Sequence, residues 1–184
     1  IANAASDQVG HLPSRLKSFD DIHSIWIYPA CMQMGFHCNF GGTRHGGNMS
    51  SYLSQFNYQF LTGGGERWSL EQARSQKGHR PWVFLHGLMG YANNWRKIVS
   101  GLGPKDLSLI YDQRGHGQSL KPLMGYAPDD YAEDLRLILE EIGWKRITLV
   151  GHSMGGRNAL IFASKNAEFV NKLVIEDIGP EAAP

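Results

Sequence analysis

Ile147-Thr148-Leu149-Val150-Gly151-His152-Ser153-Met154-Gly155-Gly156 is the stretch from which the rest of the chain is read. Four apolar or β-branched residues run into a Gly-x-Ser-x-Gly turn, and Met154 to Lys165 follow with a helical pattern, apolar at Ala159, Leu160, Phe162 and Ala163. Strand, sharp turn and helix in that order are the setting of a nucleophile elbow, in which the turn holds a serine in strained backbone geometry at the carboxyl edge of a sheet. Side chains two residues to either side of Ser153 would collide, which accounts for Gly151 and Gly155. The Met154 N–H opens the helix beside the serine, where the positive end of the helix dipole favours a developing oxyanion. Five such residues alone also arise as a chance turn; the strand and helix around them give the pattern its weight.

Outward from this stretch the same alternation continues. Trp82-Val83-Phe84-Leu85 ends in His86-Gly87, Leu107 to Tyr111 ends in Asp112, and Leu173-Val174-Ile175 ends in Glu176-Asp177. Short apolar runs closed by turn residues read as buried parallel strands. Asp129-Asp130 precede a stripe of Tyr131, Leu135, Ile138, Leu139 and Ile142, with Gly143 after it, which predicts a capped amphipathic helix whose acids over 129–141 form a solvated face. Strands alternating with helices imply right-handed crossovers, so the expected fold class is α/β, doubly wound and mostly parallel.

Composition narrows the function. The 18 basic and 17 acidic residues leave a net charge of +1, no field of the kind that nucleic acid requires, and 42% hydrophobic residues suffice for a core. No apolar run has the length of a membrane span, and the expected location is cytoplasmic. Asp, Glu, Lys and Arg number 6 in residues 1–48, 6 in 49–80 and 23 in 81–184. Residues 1–48 show no sustained period beyond Ile25-Trp26-Ile27-Tyr28 and end in a glycine-rich loop. They are read as a poorly structured or non-native extension, with the natural start at Met49 and residues 49–184 as the first part of the domain. The next expected strand is Phe56 to Phe60, before the turn Gly63-Gly64-Gly65. Cys31, His37, Cys38 and His45 lack the C-x2–4-C spacing of a structural zinc site, so no metal is expected. The tryptophans Trp82, Trp95 and Trp144 read as packing residues.

His86-Gly87, Asn94-Trp95, Asp112 through Ser119, Gly151 through Gly156 and Val174 through Pro180 occur in an order that resembles the α/β-hydrolase superfamily, in its esterase-like branch. The resemblance covers about residues 81–180. It implies Ser153 as nucleophile, the backbone N–H groups of Leu88 and Met154 as oxyanion hole, and a histidine base oriented by a carboxylate. Asp177 is the candidate acid, with Glu176 behind it, and the alternative is that Asp177 caps its loop. His86, Gly87, Asp112 and His116 are expected to brace the site. No cofactor is implied, the partner is a small-molecule acyl substrate, and oligomeric state is left open.

His152 is the last of eight histidines, whereas the family's base follows the final strand of its sheet. The expectation is therefore a fragment, incomplete at the C-terminus, retaining about 10³–10⁴-fold catalysis over water from the oxyanion hole and binding alone. Leu173-Val174-Ile175 is expected to stand as an exposed apolar edge, so that the chain alone aggregates or unfolds. One elbow serves esterases, thioesterases, C–C hydrolases and acyltransferases alike, and a degenerate, non-enzymatic interaction module remains the reading of a different class.

Overall fold

Strands form where the apolar runs stand. They are β1 (Ile25–Pro29), β2 (Tyr58–Thr62), β3 (Arg67–Trp68), β4 (Arg80–Leu85), β5 (Asp106–Tyr111), β6 (Ile147–His152) and β7 (Val170–Glu176). The computed structural model describes residues 51–178 together with the backbone of 25–29. One sheet results, in the order β1-β7-β6-β4-β5-β2-β3. The four central strands β5, β4, β6 and β7 run parallel, so their carboxyl ends and following loops share one edge. The doubly wound α/β fold expected from the sequence is present at this centre, and the flanking β1, β2 and β3 are antiparallel additions.

One sheet face packs Leu85, Leu107, Leu109, Leu149, Leu173 and Ile175 against α3 (Pro128–Ile142) and α4 (Met154–Lys165). All five residues of the expected α3 stripe are buried, Pro128 opens the helix, and Gly143 ends it at φ 75°. That left-handed cap is open to glycine without strain. On the other face Leu61, Phe84, Ile110 and Val150 lie under Trp95 and Val99, from a 3₁₀ turn (Ala92–Trp95) and the short α2 (Arg96–Val99). Ser69 caps α1 (Leu70–Arg74) in a reciprocal box with Gln72.

Three expectations change. The edge at Leu173-Val174-Ile175 is not bare, because β1 pairs with β7 from Ile25 opposite Glu176 to Pro29 opposite Lys172. An open row of amides and carbonyls is a template for any β-favouring segment, and Ile25-Trp26-Ile27-Tyr28 is one. The strand expected at Phe56 begins at Tyr58, since Phe56 closes a 3₁₀ turn (Tyr52–Gln55) through its N–H to the Leu53 carbonyl. The acids of α3 do not all face water: Asp134 is buried, ion-paired with Arg114 and accepting a hydrogen bond from the Tyr52 hydroxyl at 2.5 Å. Cys31, His37, Cys38, His45 and Met49 lie outside the described residues. Among the described residues no helix is long and apolar enough to cross a membrane.

Candidate active site

Ser153 sits between β6 and α4 with φ 51° and ψ −116°. A non-glycine residue is rarely held there, and such strain persists only where the surroundings over-determine it. Three hydrogen bonds do so: the Ser153 N–H donates to the Glu176 carbonyl at 3.0 Å, and its carbonyl accepts from Gly156 at 2.9 Å and Arg157 at 3.1 Å. A Cβ on Gly151 would overlap the Gly155 backbone, and one on Gly155 would overlap the carbonyls of Leu85 and His86. The helix start is thus pressed onto the end of β4. Met154 opens α4, so its N–H is among the first-turn donors that a helix leaves without an internal partner.

The loop after β4 closes against this turn. Gly90 N–H donates to the Gly87 carbonyl at 3.0 Å, and Met89 within that turn has φ 64°. Leu88 and Met89 project outward, 70% and 89% exposed. A Cβ on Gly87 would stand 2.7 Å from His152 Nδ1 and 3.3 Å from Ser153 Cβ, which brings the Leu88 loop and the serine side by side. His86 is buried beneath them. Its Nε2 accepts from the Gln113 N–H at 2.9 Å, leaving Nδ1–H to donate to the Gly87 carbonyl at 2.9 Å. Burial lowers the His86 pKa below the ordinary histidine value, against the opposing pull of that carbonyl, so the ring stays neutral and keeps both bonds. Gln113 Nε2 donates to the His86 carbonyl at 2.7 Å, and Asn158 of α4 donates to Gln113 Oε1 at 2.9 Å. Three elements are tied together by a fully paired polar chain.

Asp112, at the end of β5, accepts from Ala92 N–H at 2.7 Å, Asn57 Nδ2 at 2.8 Å and Gln118 N–H at 3.0 Å. Burial raises its pKa, but these hydrogen bonds to the charged form outweigh burial and hold it below the ordinary value. His116 Nδ1–H donates to the Arg114 carbonyl at 2.9 Å and its ring stands edge-on to His86 at 4.9 Å. Arg114 joins Asp134 of α3 and donates to the Gly125 carbonyl at 2.5 Å. Gln113, Asn158 and Asn57 were not anticipated from sequence; the polar Gln113 inside an otherwise tight turn was the one available signal.

Asp177 follows β7 with φ 60°, and its Oδ2 lies 3.7 Å from His152 Nε2, the two side chains being 67% and 41% exposed. His152 and Glu176, neighbours in the β6–β7 register, line a cavity of about 380 Å³ together with Leu88, Met89, Trp95 and Ile98. Among the described residues no three His, Cys, Asp or Glu side chains converge on a point that would hold a metal ion.

The chain matches the alpha/beta hydrolase fold family over residues 81–184. It is 34% identical over 106 residues to a 2-(acetamidomethylene)succinate hydrolase of Mesorhizobium japonicum, covering 57% of this chain and 38% of that protein. An sn-1-specific diacylglycerol lipase of Danio rerio is 38% identical over 105 residues, covering 54% of this chain and 32% of its own. Among solved structures, a marine microorganism esterase superposes with a TM-score of 0.59 at 26% identity, over 70% of this chain and 44% of that one. The chain spans about a third of the length of the curated relatives it matches.

Proposed function

Because the chain belongs to the α/β-hydrolase family, we propose that it is part of a serine hydrolase that cleaves an ester or related acyl bond through an acyl-enzyme on Ser153. The observation that supports this reading is the conformation of Ser153, a strained serine at a strand-to-helix junction between two close-packed glycines. In the reaction, Ser153 Oγ attacks the acyl carbon and gives its proton to a general-base imidazole. The carbonyl oxygen becomes an oxyanion that accepts hydrogen bonds from the N–H groups of Leu88 and Met154. The alcohol leaves with the proton, and water activated by the same base releases the acid and restores the serine.

Asp177 orients the base in this scheme. The base itself is assigned to a residue outside these 184, in keeping with relatives of which the matched segment is only 32–38%. His86 has both ring nitrogens engaged beneath the loop, and His152 is held against Gly87 and Asp177. Residues 49–184 are read as the first part of the hydrolase domain, with 1–48 an extension whose β1 joins the sheet edge.

The test is hydrolysis of p-nitrophenyl esters by the full-length protein. Ser153→Ala is expected to cut kcat/KM by about 10⁴-fold or more, and turnover untouched by that substitution contradicts the proposal. Thioester or C–C bond cleavage and acyl transfer would use the same serine, and a substrate panel separates them.

A further inference from the structure

The cavity beside the elbow differs in chemistry from wall to rim. Leu88 and Met89 of the exposed turn after β4, with Trp95 and Ile98 at and beyond the 3₁₀ turn, give it apolar surface on one side; Asn94 and His86 add polar groups. Its ionisable members from the ends of β6 and β7 are Glu176 and His152. No Lys or Arg lines it among the described residues. At the rim the Asp177 carboxylate lies 3.7 Å from His152 Nε2. The Glu176 backbone is fixed as well, since its carbonyl accepts the Ser153 N–H at 3.0 Å. Glu176 is thereby held beside the serine through its backbone.

Resting on the assignment of Ser153 as nucleophile, we propose that this cavity receives the acyl half of the substrate, that it takes an uncharged aliphatic chain, and that Glu176 excludes acyl chains ending in a carboxylate. Two like charges brought within about 6 Å at an effective dielectric near 20 repel strongly enough to matter, and after screening at the open rim the discrimination expected is on the order of 30-fold. A volume of about 380 Å³ is ample for a chain of several carbons. The apolar side rewards its burial, while a terminal carboxylate loses hydration and meets no cation among the described residues.

A matched pair of substrates tests this in the full-length protein: p-nitrophenyl valerate and p-nitrophenyl hemiglutarate, which differ in a terminal methyl against a carboxylate. The wild type is expected to favour valerate about 30-fold in kcat/KM. Glu176→Gln should bring the two towards parity, and Glu176→Lys should reverse the order. Because the readout is a ratio, partial misfolding of a variant lowers both rates and leaves the ratio in place. Equal rates in the wild type, or a preference unchanged in Glu176→Gln, overturn the charge exclusion while leaving the acyl-hydrolysis reading intact. Failure to hydrolyse either ester overturns that reading, and this inference with it.

Discussion

The loops that follow β5 and β7 leave the same sheet edge, yet they are held in opposite ways. After β5, residues 112–120 are pinned from both sides: Asp112 takes three donors, Arg114 reaches α3, and the N–H groups of Gly115 and Leu120 bond to Leu120 and Gln55. After β7, Asp177 stands mostly exposed at positive φ, its one ion pair among the described residues a 3.7 Å approach to His152. The difference separates two kinds of residue at one site. Those of the β5 loop are fixed by their own packing and hold the neighbouring turn in place; Asp177 keeps most of its side chain in solvent.

Substitutions can break this contrast. Arg114→Met leaves the buried Asp134 carboxylate without its cation, and a loss of about 4 kcal/mol in unfolding free energy is expected by denaturant titration. Asp112→Ala strands the Ala92 and Gln118 amides and the Asn57 side chain, at about 3 kcal/mol by the same measurement. Asp112 also carries a pH signature. Its folded pKa lies below the ordinary 3.8, so the stability it contributes is present above that value and lost as pH falls through the lower, folded one. The stability gap between wild type and Asp112→Asn should therefore be full near neutrality and narrow in acid; a gap that widens in acid contradicts the assignment. Asp177→Asn is expected to change stability by less than about 0.5 kcal/mol, as an exposed pair would. In the full-length protein the same change should lower kcat about 10⁴-fold, as loss of a triad carboxylate does. Stability loss without activity loss would make Asp177 a loop cap.

The central strands, both long helices and the elbow were legible because each is written in a local period or a contiguous motif. The α3 stripe from Tyr131 to Ile142 and the glycines at 151 and 155 need no distant partner to be read. What escaped depends on residues far apart in sequence. Asp134 looks like one more surface acid until Arg114 and Tyr52, 20 and 82 residues away, are brought to it. The covering of β7 by β1 joins residues 143 to 151 positions apart by backbone pairing alone, from Pro29 with Lys172 to Ile25 with Glu176, and the pairing of Gln113 with Asn158 spans 45. For the site, the serine and its glycines were visible, while the paired chain of His86, Gln113 and Asn158 beneath them was not.

If Ser153 is an activated nucleophile, covalent labelling reads it directly. Full-length protein treated with a fluorophosphonate should carry one adduct on the peptide containing Ser153, absent in Ser153→Ala and slowed in Asp177→Asn. No adduct, or an adduct on another residue, would contradict the account and favour a non-catalytic interaction module.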